Sequence, residues 1–179
     1  RVAQSVAVLI GALVPVLTWR LALDVALERG LTVTRARVLA LDASPAAIES
    51  LQSRARAGAL SIDARIADLS DYVPQDSFDT VIAIGLFMFF PCPVARRQLA
   101  RALDAVRPGG TLIVNVLIEG TTFLGMFDQK AGYCLFGEEE LPQALAGWQV
   151  LEDLVEHFPA PESIKRFRTT IARRPVSPL

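Results

Sequence analysis

The sequence predicts an α/β fold: a doubly wound, mostly parallel sheet with an antiparallel strand pair at its C-terminal side. Three observations carry this. Short apolar runs alternate with segments of helical period along most of the chain, the pattern of βαβ units around a parallel sheet. The run Phe78–Leu86 is of the continuous apolar kind, as expected of a strand covered on both faces. After Glu119 the alternation stops, and two strand-like segments follow with only a short loop between them.

The elements follow in order. The apolar run Val6–Leu13 reads as a buried strand and Leu17–Arg29 as a helix, with Gly30 where helices commonly end. Val38–Asp42 is a short buried strand. Ser44 then reads as an N-cap and Pro45 as the first helical residue, with Ile48 and Leu51 on the apolar face and Gly58 closing the helix after Ala57. Ser61–Ala67 alternates as a strand. Val94–Val106 is an amphipathic helix, stopped by a turn at Arg107-Pro-Gly-Gly110, and Thr111–Leu117 is again a buried strand. Gly120–Gly137, rich in aromatics and glycines, reads as a loop over one end of the sheet. Glu138–Ala146 is a short helix. Trp148–Glu156 and Phe167–Arg173 read as strands joined by a Pro159–Lys165 loop. No repeat or linker interrupts residues 1–179, so a single domain is expected, long enough to bury a core unaided.

Composition narrows the function. The formal net charge is −1 and the arginines are scattered, whereas a nucleic-acid partner demands a clustered basic face. Mean hydropathy is high at +0.39. Even so, the apolar run ending at Trp19 contains Pro15 and is followed by Arg20, Asp24 and Glu28, so it falls short of the about 20 apolar residues of a spanning helix. We expect no membrane segment. The two cysteines, Cys92 and Cys134, are too few for a disulfide framework and lack metal-ligand spacing. They read as small buried or loop residues in a cytoplasmic, reducing compartment. One histidine excludes a histidine-rich metal site.

Three places carry candidate chemistry. Asp42, at the carboxyl end of the second strand, is placed to accept hydrogen bonds from both hydroxyls of a ribose; capping the next helix is the alternative. Asp68, after the third strand, fits an acceptor for an adenine amino group with Leu69 packed on the base, or equally a turn residue. Gly85 permits close backbone approach beside Ile84, while Leu86–Phe90 reads mainly as core.

The ordered combination says more than its parts. Strand-Asp42-helix, Ala67-Asp-Leu69, Phe78-Asp-Thr-Val-Ile82 and Val106-Arg-Pro-Gly-Gly-Thr-Leu112 together resemble the class I S-adenosylmethionine-dependent methyltransferases. More narrowly, Gly85-Leu-Phe-Met-Phe-Phe90, Phe136-Gly-Glu-Glu-Glu-Leu141, Gly147-Trp148 and Arg166-Phe-Arg-Thr-Thr-Ile-Ala-Arg-Arg-Pro175 are similar to the tellurite-resistance methyltransferase group. The resemblance spans Val38 to Pro175. It implies a Rossmann-like methyltransferase fold with S-adenosylmethionine as cofactor and a small, anionic or soft molecule as methyl acceptor. In that frame the cofactor-binding residues are Asp42, Ala43, Asp68, Leu69, Ile84 and Gly85, with Asp42 holding the ribose, Asp68 and Leu69 the adenine, and Ile84 and Gly85 flanking the methionyl end. His157, Arg166 and Arg168 are the candidates for holding an anionic acceptor.

One departure stands out. The family's first strand ends in a glycine-rich loop; here the corresponding stretch, Gly11-Ala-Leu-Val-Pro-Val-Leu-Thr-Trp-Arg20, has one glycine. The alternative reading is therefore a non-catalytic module that has lost the cofactor. A nicotinamide-dependent oxidoreductase ranks below both, because it leans still more on such a loop.

Overall fold

The computed structural model describes residues 5–10, 36–127, 130–160 and 163–176. Its centre is a seven-stranded sheet of order β3-β2-β1-β4-β5-β7-β6. The strands are β1 (Ser5–Ile10), β2 (Arg37–Asp42), β3 (Ile62–Ile66), β4 (Phe78–Ile84), β5 (Val106–Leu117), β6 (Gln149–Ala160) and β7 (Ser163–Arg173). β1 to β5 pair in parallel, and β7 runs antiparallel to both β5 and β6. The expected mixed sheet is therefore present.

Helix α1 (Pro45–Ala57) begins as its sequence dictates. The Ser44 Oγ accepts from the Ala47 N–H, Pro45 occupies the first turn, and the Gly58 N–H donates to the Arg54 carbonyl. Its Ile48 and Leu51 pack on Ala40 and Ala64, on one face of the sheet. Helix α2 (Cys92–Asp104) buries Ala95, Leu99 and Ala102 at helical spacing against the other face. There Leu41, Val81, Ala83, Leu112, Val114 and Val116 form the main core. Alternate residues Ile82 and Ile113 point the opposite way and join Ile171 in a second cluster, as the two-residue period of strands requires. Both faces are thus apolar, as the continuous run in β4 indicates.

The structure moves several boundaries. Helix α2 starts two residues earlier than Val94 and ends at Asp104, and Val106 already belongs to β5. Arg107-Pro-Gly-Gly110 is not a free turn but the irregular start of that strand, with the β4–β5 register shifting between Phe78 and Thr80. A Cβ on Gly110 would sit 2.9 Å from the carbonyl oxygens of Asp79 and Arg107; the backbones approach too closely for any side chain. Arg174 closes the same corner, its Nη1 donating to the carbonyls of Asp104 and Val106 at the end of α2. Phe87–Phe89 is a 3₁₀ turn rather than an extension of β4. Helix α3 (Glu140–Ala144) is shorter than expected. The Pro159–Lys165 loop is largely strand, since Pro159 pairs with Ile164 and Phe158 with Lys165. The Leu17–Arg29 helix and the glycine-poor stretch from Gly11 to Arg20 lie outside the described residues. Among the described residues, no helix is long and apolar enough to cross a membrane.

Because backbone oxygens rather than a flexible side chain crowd Gly110, Gly110→Ala should destabilise the protein by about 1–3 kcal/mol. Gly125→Ala, with nothing within 4 Å of the new methyl, should fall within roughly 0.5 kcal/mol of the parent. Urea denaturation of both variants measures the difference.

Candidate cofactor and acceptor site

Parallel registers bring the sequence candidates to one edge. Leu41 pairs with Leu9, and Ile10 with Ile84, so Asp42 stands level with Ile10 and Ile84; Asp42 in turn pairs with Ile66. One step further lie Ala43, Ala67 and Gly85, and next comes Asp68. All lie at the carboxyl ends of β2, β3 and β4. Between β1 and β4 the strand order reverses, the switch point at which doubly wound sheets bind ligands.

The side chains differ in how they are held. Asp42 is 2% exposed, and its Oδ1 accepts the Ser44 N–H at 2.7 Å. The helix-entry role and a ligand role are thus compatible, since the carboxylate keeps acceptor capacity on Oδ2. Asp68 is exposed, and its Oδ1 accepts the Ser70 N–H at 2.8 Å. The Ser70 side-chain and backbone donors hold the Asp68 carboxyl below its ordinary value. Leu69 is buried beneath it. Gly85 has φ +63°, a conformation that side chains rarely adopt, so the chain turns sharply away at the end of β4. These acceptors suit a nucleoside: a buried carboxylate for hydroxyls and an exposed one for an exocyclic amine, with no side chain at Gly85.

The acceptor-side candidates lie two strands away. Arg168 pairs with Val116 and Phe167 with Leu117, so the start of β7 flanks the carboxyl end of β5. The structure brings His157, Arg166 and Arg168 together there, already within a network. Arg166 donates to His157 Nε2 at 3.2 Å, the Glu119 carbonyl at 2.8 Å and Glu138 Oε1 at 2.6 Å. Arg168 donates to the Glu138 carbonyl and grips both oxygens of Asp153, which also accepts from the Thr170 hydroxyl. The Arg168 guanidinium outweighs partial burial and holds the Asp153 carboxyl below its ordinary value. Glu138 and Asp153 were not singled out from the sequence, although the alternation of β6 places Asp153 and His157 on one face.

Residues 118–127 and 130–137 cover this end of the sheet. Ile118 bridges to Phe136, which is fully buried. Phe127 stacks on Tyr133 at 5.0 Å and meets Phe89 edge-on at 5.7 Å. Cys92 and Cys134 are joined in a disulfide across 42 residues of sequence. This corrects the reading of two unlinked cysteines: they are far apart in sequence, and only the fold sets the start of α2 against this loop. Among the described residues, no group of three or more His, Cys, Asp or Glu could hold a metal ion.

The sheet order and strand directions define a Rossmann-like α/β fold of the methyltransferase type. Residues 23–110 match the family described as "Methyltransferase domain", a match that begins beyond the glycine-poor stretch. That match covers just under half of the chain. Its structure is similar to that of TehB from Haemophilus influenzae, with TM-score 0.67 and 18% identity over 94% of this chain; it spans 57% of that chain. It is also similar to the N-methyltransferase NodS from Bradyrhizobium japonicum in complex with S-adenosylhomocysteine, with TM-score 0.65 and 15% identity over 97% of this chain and 79% of that one. A third similar structure is 1,6-didemethyltoxoflavin-N1-methyltransferase from Burkholderia thailandensis, with TM-score 0.59 and 20% identity over 95% of this chain and 71% of that one. At these identities the likeness is one of fold. A search of curated protein sequences returns no match.

The lowered Asp153 pKa has a signed consequence. The folded state binds fewer protons there than the unfolded chain, so the Arg168 contact contributes fully above the unfolded carboxylate value of about 3.9. It is lost as pH falls through the lower folded value. Asp153→Asn should therefore remove about 1 kcal/mol at pH 7 and less below about pH 3.5. Urea midpoints of both proteins against pH measure this; parallel curves would contradict it.

Proposed function

We propose that this chain is a methyltransferase that passes the methyl group of S-adenosylmethionine to a small acceptor. The observation that carries this reading is the alignment of Asp42, Asp68 and Gly85 on one edge of the sheet at its switch point. Asp42, beside Ala43, accepts the ribose hydroxyls. Asp68 accepts the adenine amino group while Leu69 packs under the base. Ile84 and Gly85 let the backbone approach the methionyl end. The cofactor itself supplies an electrophilic methyl group on a sulfonium.

The protein's share is then to hold the acceptor in line and exclude water, which calls for no general base. His157, Arg166 and Arg168 are assigned to the acceptor end. Arg166 and Arg168 already contact Glu138 and Asp153, so an anionic acceptor has to compete with carboxylates. A soft, weakly charged acceptor fits the site better. In this reading residues 1–179 act as one domain in the cytoplasm, without nucleic acid or membrane as partner. The competing reading, a module that no longer binds the cofactor, draws on the glycine-poor Gly11–Arg20 stretch alone.

Asp42→Ala should weaken S-adenosylhomocysteine binding by about 1–3 kcal/mol, roughly 5- to 150-fold. Asp63→Ala, on the exposed side of β3, should leave it unchanged. Calorimetric titration decides; equal affinities for parent and Asp42→Ala would remove the ribose assignment.

A further inference from the structure

Strand β6 ends the sheet, and among the described residues no strand lies beyond it. Which main-chain groups it leaves free follows from β7. The carbonyls of Ile164 and Arg166 accept from the N–H groups of Thr122 and Ile118, and their own N–H groups donate to the hydroxyls of Thr122 and Thr121. These two residues thus bond on the β5 side. Lys165 and Phe167 therefore bond toward β6, where they face Phe158 and Glu156. Along the stretch Glu152–Phe158, regular beyond the bulge at Leu151, the alternation leaves Asp153, Val155 and His157 with N–H and carbonyl turned outward. The edge carries no lysine, and its one proline, Pro159, stands near its end, so two common guards against strand pairing are weak here. Val150, Leu154, Val155 and Phe158 on the same strand are each between 41% and 51% exposed.

We propose that β6 pairs antiparallel with β6 of a second copy of this chain, about a two-fold axis at Val155, joining the two sheets into one. Opposed residues of an antiparallel pair share a face, so such an axis passes through a residue. Charge selects which one. An axis at Asp153 or Glu156 sets that carboxylate against itself, and one at Leu154 sets Glu152 against Glu156. An axis at His157 sets Val155 against Pro159, which has no N–H to donate. At Val155 no like charges meet: Asp153 faces the partner's His157 on both sides of the axis, Leu154 faces the partner's Glu156, and Val155 meets its own copy. The outward groups of Asp153, Val155 and His157 are then all used, in about six main-chain hydrogen bonds. Arg166 already donates to His157 Nε2, which leaves Nδ1 to donate to the partner's Asp153. The exposed Leu154 packs diagonally on the partner's Leu154. This pairing rests on none of the cofactor assignments.

Sedimentation equilibrium of the full chain tests it. The interface is small, so dissociation constants of about 10–100 μM are expected, read as a mass rising from 19.4 kDa toward twice that value. Val155→Lys sets like charges together at the axis and should weaken association at least about ten-fold, with circular dichroism showing the variant folded. Val73→Lys, at an exposed residue between β3 and β4, should leave association unchanged. Register is read separately. Opposed residues of a hydrogen-bonded pair have Cα atoms about 5.5 Å apart, within disulfide reach, so Val155→Cys should link two chains on treatment with glutathione disulfide. Glu152→Cys, whose counterpart would lie about 20 Å away, should not. A parent chain that stays monomeric across and above that concentration range overturns the pairing and leaves the edge to a strand of another protein. A dimer indifferent to Val155→Lys, or cross-linking equal at the two cysteine positions, overturns it as well.

Discussion

Strand β1 sits between β2 and β4 and is parallel to both, and its two registers fix how far each neighbour projects. Leu9 faces Leu41 on one side and Ala83 on the other. That single alignment sets Asp42 level with Ile84, places Gly85 one step beyond, and through β3 carries Asp68 to the same edge. A slip by one residue would turn Asp42 from the α1 face to the α2 face and bury its carboxylate beside Val81 and Ala83. In β4 and β5 alternate residues, Val81, Ala83, Leu112 and Val114 against Ile82 and Ile113, enter apolar cores on opposite faces.

The other half of the site is held by charge and chain connectivity. The β6–β7 hairpin is an edge structure, and much of β6 is exposed. What ties it to the rest is the β5–β7 ladder together with Arg166 and Arg168, which reach back to Glu119 and Glu138, while Asp153 braces Arg168 within the hairpin. These contacts are partly buried and bidentate in part, the geometry in which an arginine–carboxylate pair contributes most. They also fix the residues that precede α3, and hence the exit of the loop fastened by the disulfide. The proposed cofactor edge rests on packing and register, the proposed acceptor edge on polar and covalent ties.

Much of this was legible in the sequence. Period and punctuation found the strands and helices because each segment agrees with its neighbours: Ser44-Pro45 starts a helix, Gly58 stops one, and alternate β5 residues enter two different cores. The positions of Asp42, Asp68 and Gly85 were legible because they lie at or just beyond strand ends; their roles stay with the proposal. The remainder depended on distance. Nothing local says that Cys92 meets Cys134, or that Asp153 meets Arg168 across a hairpin. The Arg107-Pro-Gly-Gly110 segment reads as a free turn until β4 is laid beside it, when Gly110 proves to be the point where two backbones touch. Likewise Pro159 suggested a loop, yet an edge strand tolerates a proline that donates no hydrogen bond.

The central claim is that one edge of the sheet, where β2, β3 and β4 end, binds the cofactor. Backbone amide NMR during titration of the parent chain with S-adenosylhomocysteine tests it most directly. The account predicts saturable shifts concentrated at Asp42–Ser44, Asp68–Ser70 and Ile84–Leu86, with the outer strand β6 and the amino end of β5 quiet. Absence of shifts in the folded protein, or shifts confined to the β6–β7 hairpin, would contradict it.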